Sequence, residues 1–465
     1  VKNIYLFLLT LCAASVVAQS ELDENILNHM DNKHVSGIAA VIFTDSGIVW
    51  EGYYGLANRE DSIPVTDSTI FMLASISKTI TATALMQLHE EGLFELDDPV
   101  NEYLPFEVIH PVYPDSLITF RHLLTHTASI EDNWGVLESL YTIGDSPISL
   151  LDFFSEYFSP GGAYYNATNN FYSYKPGTQY NYSNVGAALC GLLVETMTGT
   201  PFNVYCNEEI FAPLCMDNTG WFLSELNEDL IARPYSFFLG SYDDEGLYGY
   251  PDYPDGQLRT TARSLAKFAY TYMSGGVFDG NTILQAATID SMLQAQYPDI
   301  DDEQGLMWYS WTIDGQTLWG HNGGDAGVST DMYIDLEQHR GYIILTNGNA
   351  WNTPVLELLM ASTSADWLPE ALPISCQIPT SNALTPAVLS LSISPNPTTN
   401  YAWLQIPEEG PSMYRILDLQ GRCVRKWTPM SPDGMISFSS LLNGRYQIQW
   451  ANGRSFGTTS ILLFR

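Results

Sequence analysis

The sequence predicts an α+β fold in which an antiparallel sheet is flanked by helices, carries an all-helical insertion and is followed by a small C-terminal β-sandwich. Three observations predict it. Strand-like runs open and close the first 368 residues with helical composition between them; a stretch rich in Pro, Ser, Thr and Ala spans 369–387; short strand-like runs at regular spacing come after it.

Val1-Lys2-Asn3 give a short positive start to an apolar run from Ile4 to Val17 that closes on Val16-Val17-Ala18, so 1–18 read as a signal peptide and the mature chain is expected to start at Gln19. Ile38–Phe43 and Ile48–Tyr53 are β-rich runs around Thr44-Asp45-Ser46-Gly47, the pattern of an antiparallel hairpin. A helix over Thr79–Glu91, stopped by Gly92, follows and should hold Ser75 to Lys78 in its first turn. From Thr119 to Gly276 the pattern is mostly helical with long aromatic loops, including a helix over Val185–Thr198. Strands return at Leu306–Trp311, Thr317–Gly320, Ser329–Asp335 and Tyr342–Asn347, before a last helix near Pro354–Trp367. The domains expected are therefore 19–368, a linker at 369–387 and a sandwich at 388–465, whose strands are read at Leu389–Ser394, Tyr401–Ile406, Tyr414–Asp418, Cys423–Trp427, Met435–Phe438 and Tyr446–Trp450.

Charge and cysteines narrow the function classes. Residues 19–383 carry ten Lys/Arg against 49 Asp/Glu, whereas 384–465 carry seven against four. The field of the long acidic part repels nucleic acid and anionic surfaces and slows anionic substrates. No run after the first reaches the roughly 20 apolar residues of a membrane-spanning helix. Beyond the signal segment stand Cys190, Cys206, Cys215, Cys376 and Cys423, an odd number, so at least one thiol is free or intermolecular; Cys206 and Cys215 are the favoured disulfide pair. Their spacing resembles no metal site, and no cofactor is implied.

Three motifs carry chemistry. Ser75-Ile76-Ser77-Lys78 sets a hydroxyl and an amine three residues apart on one helical face, a nucleophile beside a base. The amine serves as a base only if its pKa is lowered, which burial and the positive helix end would favour. Tyr182-Ser183-Asn184 precedes an apolar helix: Tyr182 could relay a proton and Asn184 bind a substrate carbonyl, or Ser183 and Asn184 could simply cap the helix. His321-Asn322-Gly323-Gly324 ends a strand, where glycine lets a backbone N–H approach a ligand, with a tight turn and a structural histidine as the plain alternative.

In this order the motifs resemble those of the family that holds class C beta-lactamases, D-alanyl-D-alanine carboxypeptidases, related esterases and D-aminopeptidases. Glu91-Gly92-Leu93, Leu96-Asp97-Asp98-Pro99-Val100, His122-Leu123-Leu124-Thr125-His126-Thr127 and Lys175-Pro176-Gly177 add to the likeness, which spans roughly 25–368. It implies a beta-lactamase/transpeptidase-like fold and an acyl-enzyme on Ser75. Lys78 and Tyr182 would then share proton transfers, the N–H groups of Ser75 and Gly324 would form an oxyanion hole, and Asn184, His321 and Gly323 would line the substrate site. Where beta-lactamases have Lys-Thr-Gly, this chain has His321-Asn322-Gly323, which removes a fixed cation for a substrate carboxylate and favours ester, amide or D-amino-acid peptide substrates. A true beta-lactamase, or a non-catalytic surface protein binding peptidoglycan fragments, are the alternatives. Ala128-Ser129-Ile130 replaces Ser-Gly-Leu and should alter only a turn; His126 reads as structural. Ser394-Pro395-Asn396-Pro397, Asp418-Leu419-Gln420-Gly421-Arg422 and Leu442-Asn443-Gly444-Arg445-Tyr446 resemble the sorting domain of type IX secretion, which implies export through the periplasm to the surface or medium, with that machinery as a partner.

Overall fold

A computed structural model describes residues 21–362 and 371–376, and beyond them 392–394, 401–405, 413–417, 423–429, 434–438, 441–451 and 456–463. The expected signal segment lies outside the described residues, as does most of the expected linker. The chain divides into two compact units, Val1–Gln377 and Ile378–Arg465.

The first unit is built on one antiparallel sheet. Its strands are β1 (Gly37–Thr44), β2 (Gly47–Asn58), β3 (Ile63–Pro64), β4 (Tyr309–Ile313), β5 (Gln316–Asp325), β6 (Val328–Asp335) and β7 (Arg340–Thr346), in the spatial order β4-β5-β6-β7-β1-β2-β3. Pairing of β1 with β7, from Ile38 opposite Thr346 to Thr44 opposite Arg340, joins strands from near the two ends of this unit. Because side chains alternate across a strand, β1 divides its residues between two cores. Ala39, Val41 and Phe43 join Met332, Ile334, Ile343 and Leu345 on one face, while Ile38, Ala40 and Ile42 join Tyr333, Tyr342 and Ile344 on the other.

Each face is covered by helices, which is why β1 is apolar at nearly every position. A helix at 21–33, labelled α1, supplies Leu22, Ile26 and Met30 to the second core, together with Val355, Leu356 and Leu359 of the last helix, Thr353–Ser362. The first core packs under α2 (Ser77–Glu90), α3 (Asn184–Thr198) and α4 (Ala262–Met273). Helix α3 is buried all round from Val185 to Val194; Ser183 caps its start by accepting the Gly186 N–H, and Gly199 in the left-handed region (φ 70°) ends it.

Four local expectations change. Leu306–Trp308 is a buried irregular segment rather than strand: Met307 has φ 57°, and its N–H bonds the Leu124 carbonyl instead of a ladder. The insertion is not all helical, because the aromatic run Tyr235–Phe238 turns at Leu239-Gly240 and pairs with Ser241–Asp244. Strand β5 continues through His321-Asn322-Gly323-Gly324, paired with β6, instead of ending before it. Finally Cys215 bonds Cys376, 161 residues on, and not Cys206, which stays free and buried with Cys190. Cys206 points into the core from the helix Phe202–Cys206, whereas Cys215 sits in a left-handed turn (φ 50°). Leu372 and Ile48 exchange backbone hydrogen bonds, so residues 371–376 are tied to the rest of the first unit at Leu372 as well as at Cys376.

The second unit pairs Ser392–Ser394, Tyr401–Gln405 and Met435–Ser437 in one sheet, and Cys423–Pro429, Met413–Leu417, Gly444–Ala451 and Phe456–Leu463 in another. Ala402 and Ile436 from the first sheet, with Phe438 just beyond it, share a core with Tyr414, Ile416, Ile448 and Ile461 from the second. That is a sandwich, and its last strand went unread in the sequence.

Candidate active site

Ser75 sits on a 3-10 turn, Ala74–Ile76, that leads into α2; the helix proper starts at Ser77. Ala74 holds a left-handed conformation (φ 47°), a sparsely populated region for a residue with a Cβ, and this sharp bend directs Ser75 out of the buried turn. Strand β5 is pressed against the bend. A Cβ on Gly323 would lie 2.2 Å from the Leu73 carbonyl oxygen and 3.1 Å from the Ala74 Cβ, so only glycine admits this approach. The Thr330 hydroxyl donates to the same Leu73 carbonyl at 2.6 Å. Gly323 is therefore a spacing residue for the turn, while the corresponding side of Gly324 is open.

Lys78, one turn on, is fully buried. Its ammonium donates to Ser75 Oγ at 3.1 Å, Asn184 Oδ1 at 2.7 Å and the Asp255 carbonyl at 2.7 Å, using all three of its protons. Asp255 Oδ2 stands 3.7 Å away. Burial works against the charge, but Tyr182, Asp255 and Asp132 outweigh it, so the Lys78 pKa is raised. The lowered value that the sequence reading required is thereby reversed: carboxylates close to the amine were not visible in the local motif.

Tyr182 places a buried hydroxyl beside this group, within the influence of both Lys78 and Ser75. Burial raises its pKa against the opposing pull of Lys78 and Ser75, leaving a neutral phenol. Lys78 Nζ lies 4.9 Å from the ring centroid. Of the two residues read as possible caps, Ser183 caps the helix, while Asn184 gives its N–H to Asp132 and accepts from Lys78 through Oδ1.

His321 is buried, with Nδ1 2.5 Å from the Asn322 carbonyl oxygen, and its ring lies 6.1 Å from that of Tyr182. Burial and then Lys78 lower its pKa to about 3. The ring is thus neutral, and since a carbonyl only accepts, Nδ1 carries the proton and Nε2 is left as an acceptor.

Two participants were missed in the sequence. Asp132 receives the N–H groups of Asn184 (2.9 Å) and Val185 (3.0 Å) and the Ser183 hydroxyl (3.1 Å), so it fastens the first turn of α3 from another loop. Asp255 ends the short turn Tyr253–Asp255, held to α2 by the Thr81 hydroxyl on the Pro254 carbonyl at 2.6 Å. Neither has a local signal, because each reaches the site from more than 50 residues away in sequence. Ser129, where the resemblance expects glycine, has φ 60° and donates to the Tyr174 carbonyl at 2.7 Å. Among the described residues no group of three or more His, Cys, Asp or Glu is placed to hold a metal ion.

This arrangement supplies a partly exposed hydroxyl in contact with a buried cation, a neutral phenol and a neutral imidazole, which suits nucleophilic attack on a carbonyl. The model of the Beta-lactamase family matches residues 22–365. A beta-lactamase of Yersinia enterocolitica is 29% identical over 331 residues, which cover 67% of this chain and 77% of that one. Esterase EstB of Burkholderia gladioli is 30% identical over 234 residues, 49% of this chain and 56% of its own. Among solved structures, the D-amino acid amidase of Ochrobactrum anthropi SV3 in complex with L-phenylalanine amide superposes with a TM-score of 0.58 at 21% identity, covering 74% of this chain and 99% of that one.

Proposed function

The chain belongs to the Beta-lactamase family and is a serine hydrolase, and from that premise we propose that it cleaves uncharged esters or amides, D-amino-acid amides and peptides included, through an acyl-enzyme on Ser75. One observation carries the reading: Lys78 binds Ser75 Oγ and Asn184 Oδ1 at once, beside the buried Tyr182 hydroxyl. In this reading Ser75 attacks the carbonyl carbon as its hydroxyl proton passes to the Lys78–Tyr182 pair. Its N–H and that of Gly324 receive the oxyanion. Tyr182 hands a proton to the leaving group, and Asn184 binds the substrate amide.

The preference for uncharged substrates rests on His321. A neutral ring offering Nε2 as an acceptor cannot supply the charge-assisted bond that a substrate carboxylate needs, and Lys78 has no proton to spare. The acidic surface acts in the same direction. An esterase and a D-amino acid amidase among the similar proteins support this choice.

Incubation with a fluorophosphonate followed by peptide mass spectrometry tests the nucleophile: a covalent adduct is expected on Ser75, and protein that stays unmodified would instead support a ligand-binding role. We further propose export, with the C-terminal unit as a sorting domain; the Cys215–Cys376 bond suits an oxidising compartment.

A further inference from the structure

Resting on the reading of Ser75 as nucleophile, we propose that Asp325 binds the α-ammonium of the substrate's acyl part, so that the esters and amides cleaved are those of amino acids with a free α-amine. The scissile group is uncharged, as that reading requires; the charge recognised sits on the carbon beside it. Strand β4 pairs with β5 only as far as Gly320, which leaves one edge of His321–Asp325 without a paired strand. Gly324 gives its N–H to the oxyanion in this reading, and Asp325 is the next residue. Side chains alternate along a strand, so Asp325 points to the same face as Gly323, the face pressed against the Leu73–Ala74 bend.

There it meets an aromatic wall. Tyr141, Tyr248 and Tyr250 pack with Met72 and with Ala74, the residue before the nucleophile. The Tyr141 ring lies 4.7 Å from that of Tyr250 and 5.5 Å from that of Tyr248, with planes tilted by 34° and 31°. Tyr248 and Tyr250 are buried, whereas Tyr141, Asp325 and Ser75 are partly exposed, so a substrate that reaches the hydroxyl also reaches the carboxylate. The Tyr250 hydroxyl stands over Gly256, where an added Cβ would lie 2.4 Å from it, and on that side the buried Asp255 leaves Oδ1 without a hydrogen bond.

The Asp325 carboxylate is short of donors and of cations. Its Oδ1 takes the Ala326 N–H at 2.8 Å, but the phenols stand off: Tyr141 lies 3.4 and 3.5 Å from the two oxygens and Tyr250 3.3 Å from Oδ2. A hydroxyl well bonded to a carboxylate comes to about 2.5–2.7 Å. No ion pair among the described residues includes Asp325. Lys78 is committed to three acceptors, and the buried Arg259 gives its guanidinium to the Gln257 and Tyr248 carbonyls. Burial raises the Asp325 pKa, and a cation alongside would lower it again. An ammonium brings three protons to the carboxylate, the tyrosine faces attract the same charge, and the acidic surface draws amines toward the site.

The test compares kcat/KM for alanine p-nitroanilide, as each enantiomer, with that for propionic acid p-nitroanilide, which lacks only the amine. At pH 6.5 the amine is charged, since an α-amino group titrates at about 7.7–8.0. The alanine compound should be preferred, as the better of its two enantiomers. Its charge also activates the carbonyl chemically, so the decisive quantity is the change in that ratio between wild type and variant. Asp325→Asn, which keeps an oxygen for the Ala326 N–H, should lower the ratio by roughly ten- to hundredfold, the worth of a charge-assisted bond. Tyr141→Leu, which removes one aromatic face, should lower it severalfold and serves if the first variant does not fold. A ratio unchanged in either folded variant, including an equal loss on both substrates, would overturn the amine site, as would a wild type that prefers the propionyl compound. Fluorophosphonate labelling separates the two readings: Ser75 modified in wild type keeps the nucleophile whatever the ratios show, and its failure to label would overturn that assignment instead.

Discussion

The imidazole of His126 lies against the ring of Tyr182, with centroids 4.3 Å apart and planes at 30°, while its Nδ1 accepts the Ser183 N–H at 3.2 Å. A single buried side chain thus sets both the ring and the backbone of the Tyr182-Ser183-Asn184 segment. Burial holds it well below the usual imidazole range, so it stays neutral and can keep accepting. In steady-state kinetics on p-nitrophenyl acetate, His126→Ala should lower kcat by roughly ten- to hundredfold through misplacement of the phenol, with a smaller change in KM. Unaltered kcat would mean that Tyr182 keeps its place without the histidine.

Removal of Ser75 should behave differently from removal of a positioning group. Ser75→Ala and Lys78→Ala should each bring ester turnover near background, and the double variant should be barely worse than either, because members of one catalytic unit are strongly non-additive. More than about a tenth of wild-type activity in Ser75→Ala is incompatible with covalent catalysis through this hydroxyl.

Substrate charge gives a third expectation. A lysine at position 321 could add a charge-assisted hydrogen bond worth about 1.5–3 kcal/mol to an anionic substrate. Wild-type kcat/KM should be higher for neutral esters than for nitrocefin, and His321→Lys should narrow that gap. Added salt should help nitrocefin more than the ester, since it screens the acidic surface. A wild-type preference for nitrocefin at low ionic strength would place a cation for its carboxylate elsewhere in the pocket.

Stability should respond to Asp331 on β6, whose carboxyl burial pushes up to about 7. Its folded pKa exceeds the ordinary unfolded value near 3.9, so its contribution is complete below about pH 4 and is lost as pH rises through 7. The difference corresponds to roughly 4 kcal/mol at most. Asp331→Asn should therefore raise the thermal midpoint at pH 8 and give little gain at pH 4.5. An equal effect at both values would show that the carboxyl ionises normally in the folded protein.

What could be read beforehand was whatever neighbouring residues encode. The β1–β2 hairpin announces itself through Gly47, which takes φ 130°, and through strand-forming runs on either side. Helix α3 was legible from its cap and apolar length, and Ser75, Lys78, Tyr182, Asn184 and His321 from short motifs, all of which lie in one neighbourhood. Unreadable were the relationships between distant turns: Asp132 beneath α3, Asp255 beside Lys78, and Cys376 on Cys215. The ionisation of Lys78 followed them out of reach, since its sign depends on those carboxylates. The last strand, Phe456–Leu463, was hidden by Gly457 and a run of small hydroxyl residues that lack an apolar alternation.

The bond from Cys215 to Cys376 also decides how this chain carries tension. A pull applied from the C-terminal unit enters the first unit at Cys376 and passes straight to Cys215, so the 161-residue segment between them bears none of the load. Helix α4 and strands β4 to β7 lie within that bypassed loop. Stretched end to end under oxidising conditions, the protein should therefore release an extension shorter by roughly 550 Å than after reduction, at about 3.4 Å per residue. A protease that nicks a surface turn within the loop leaves both fragments covalently joined.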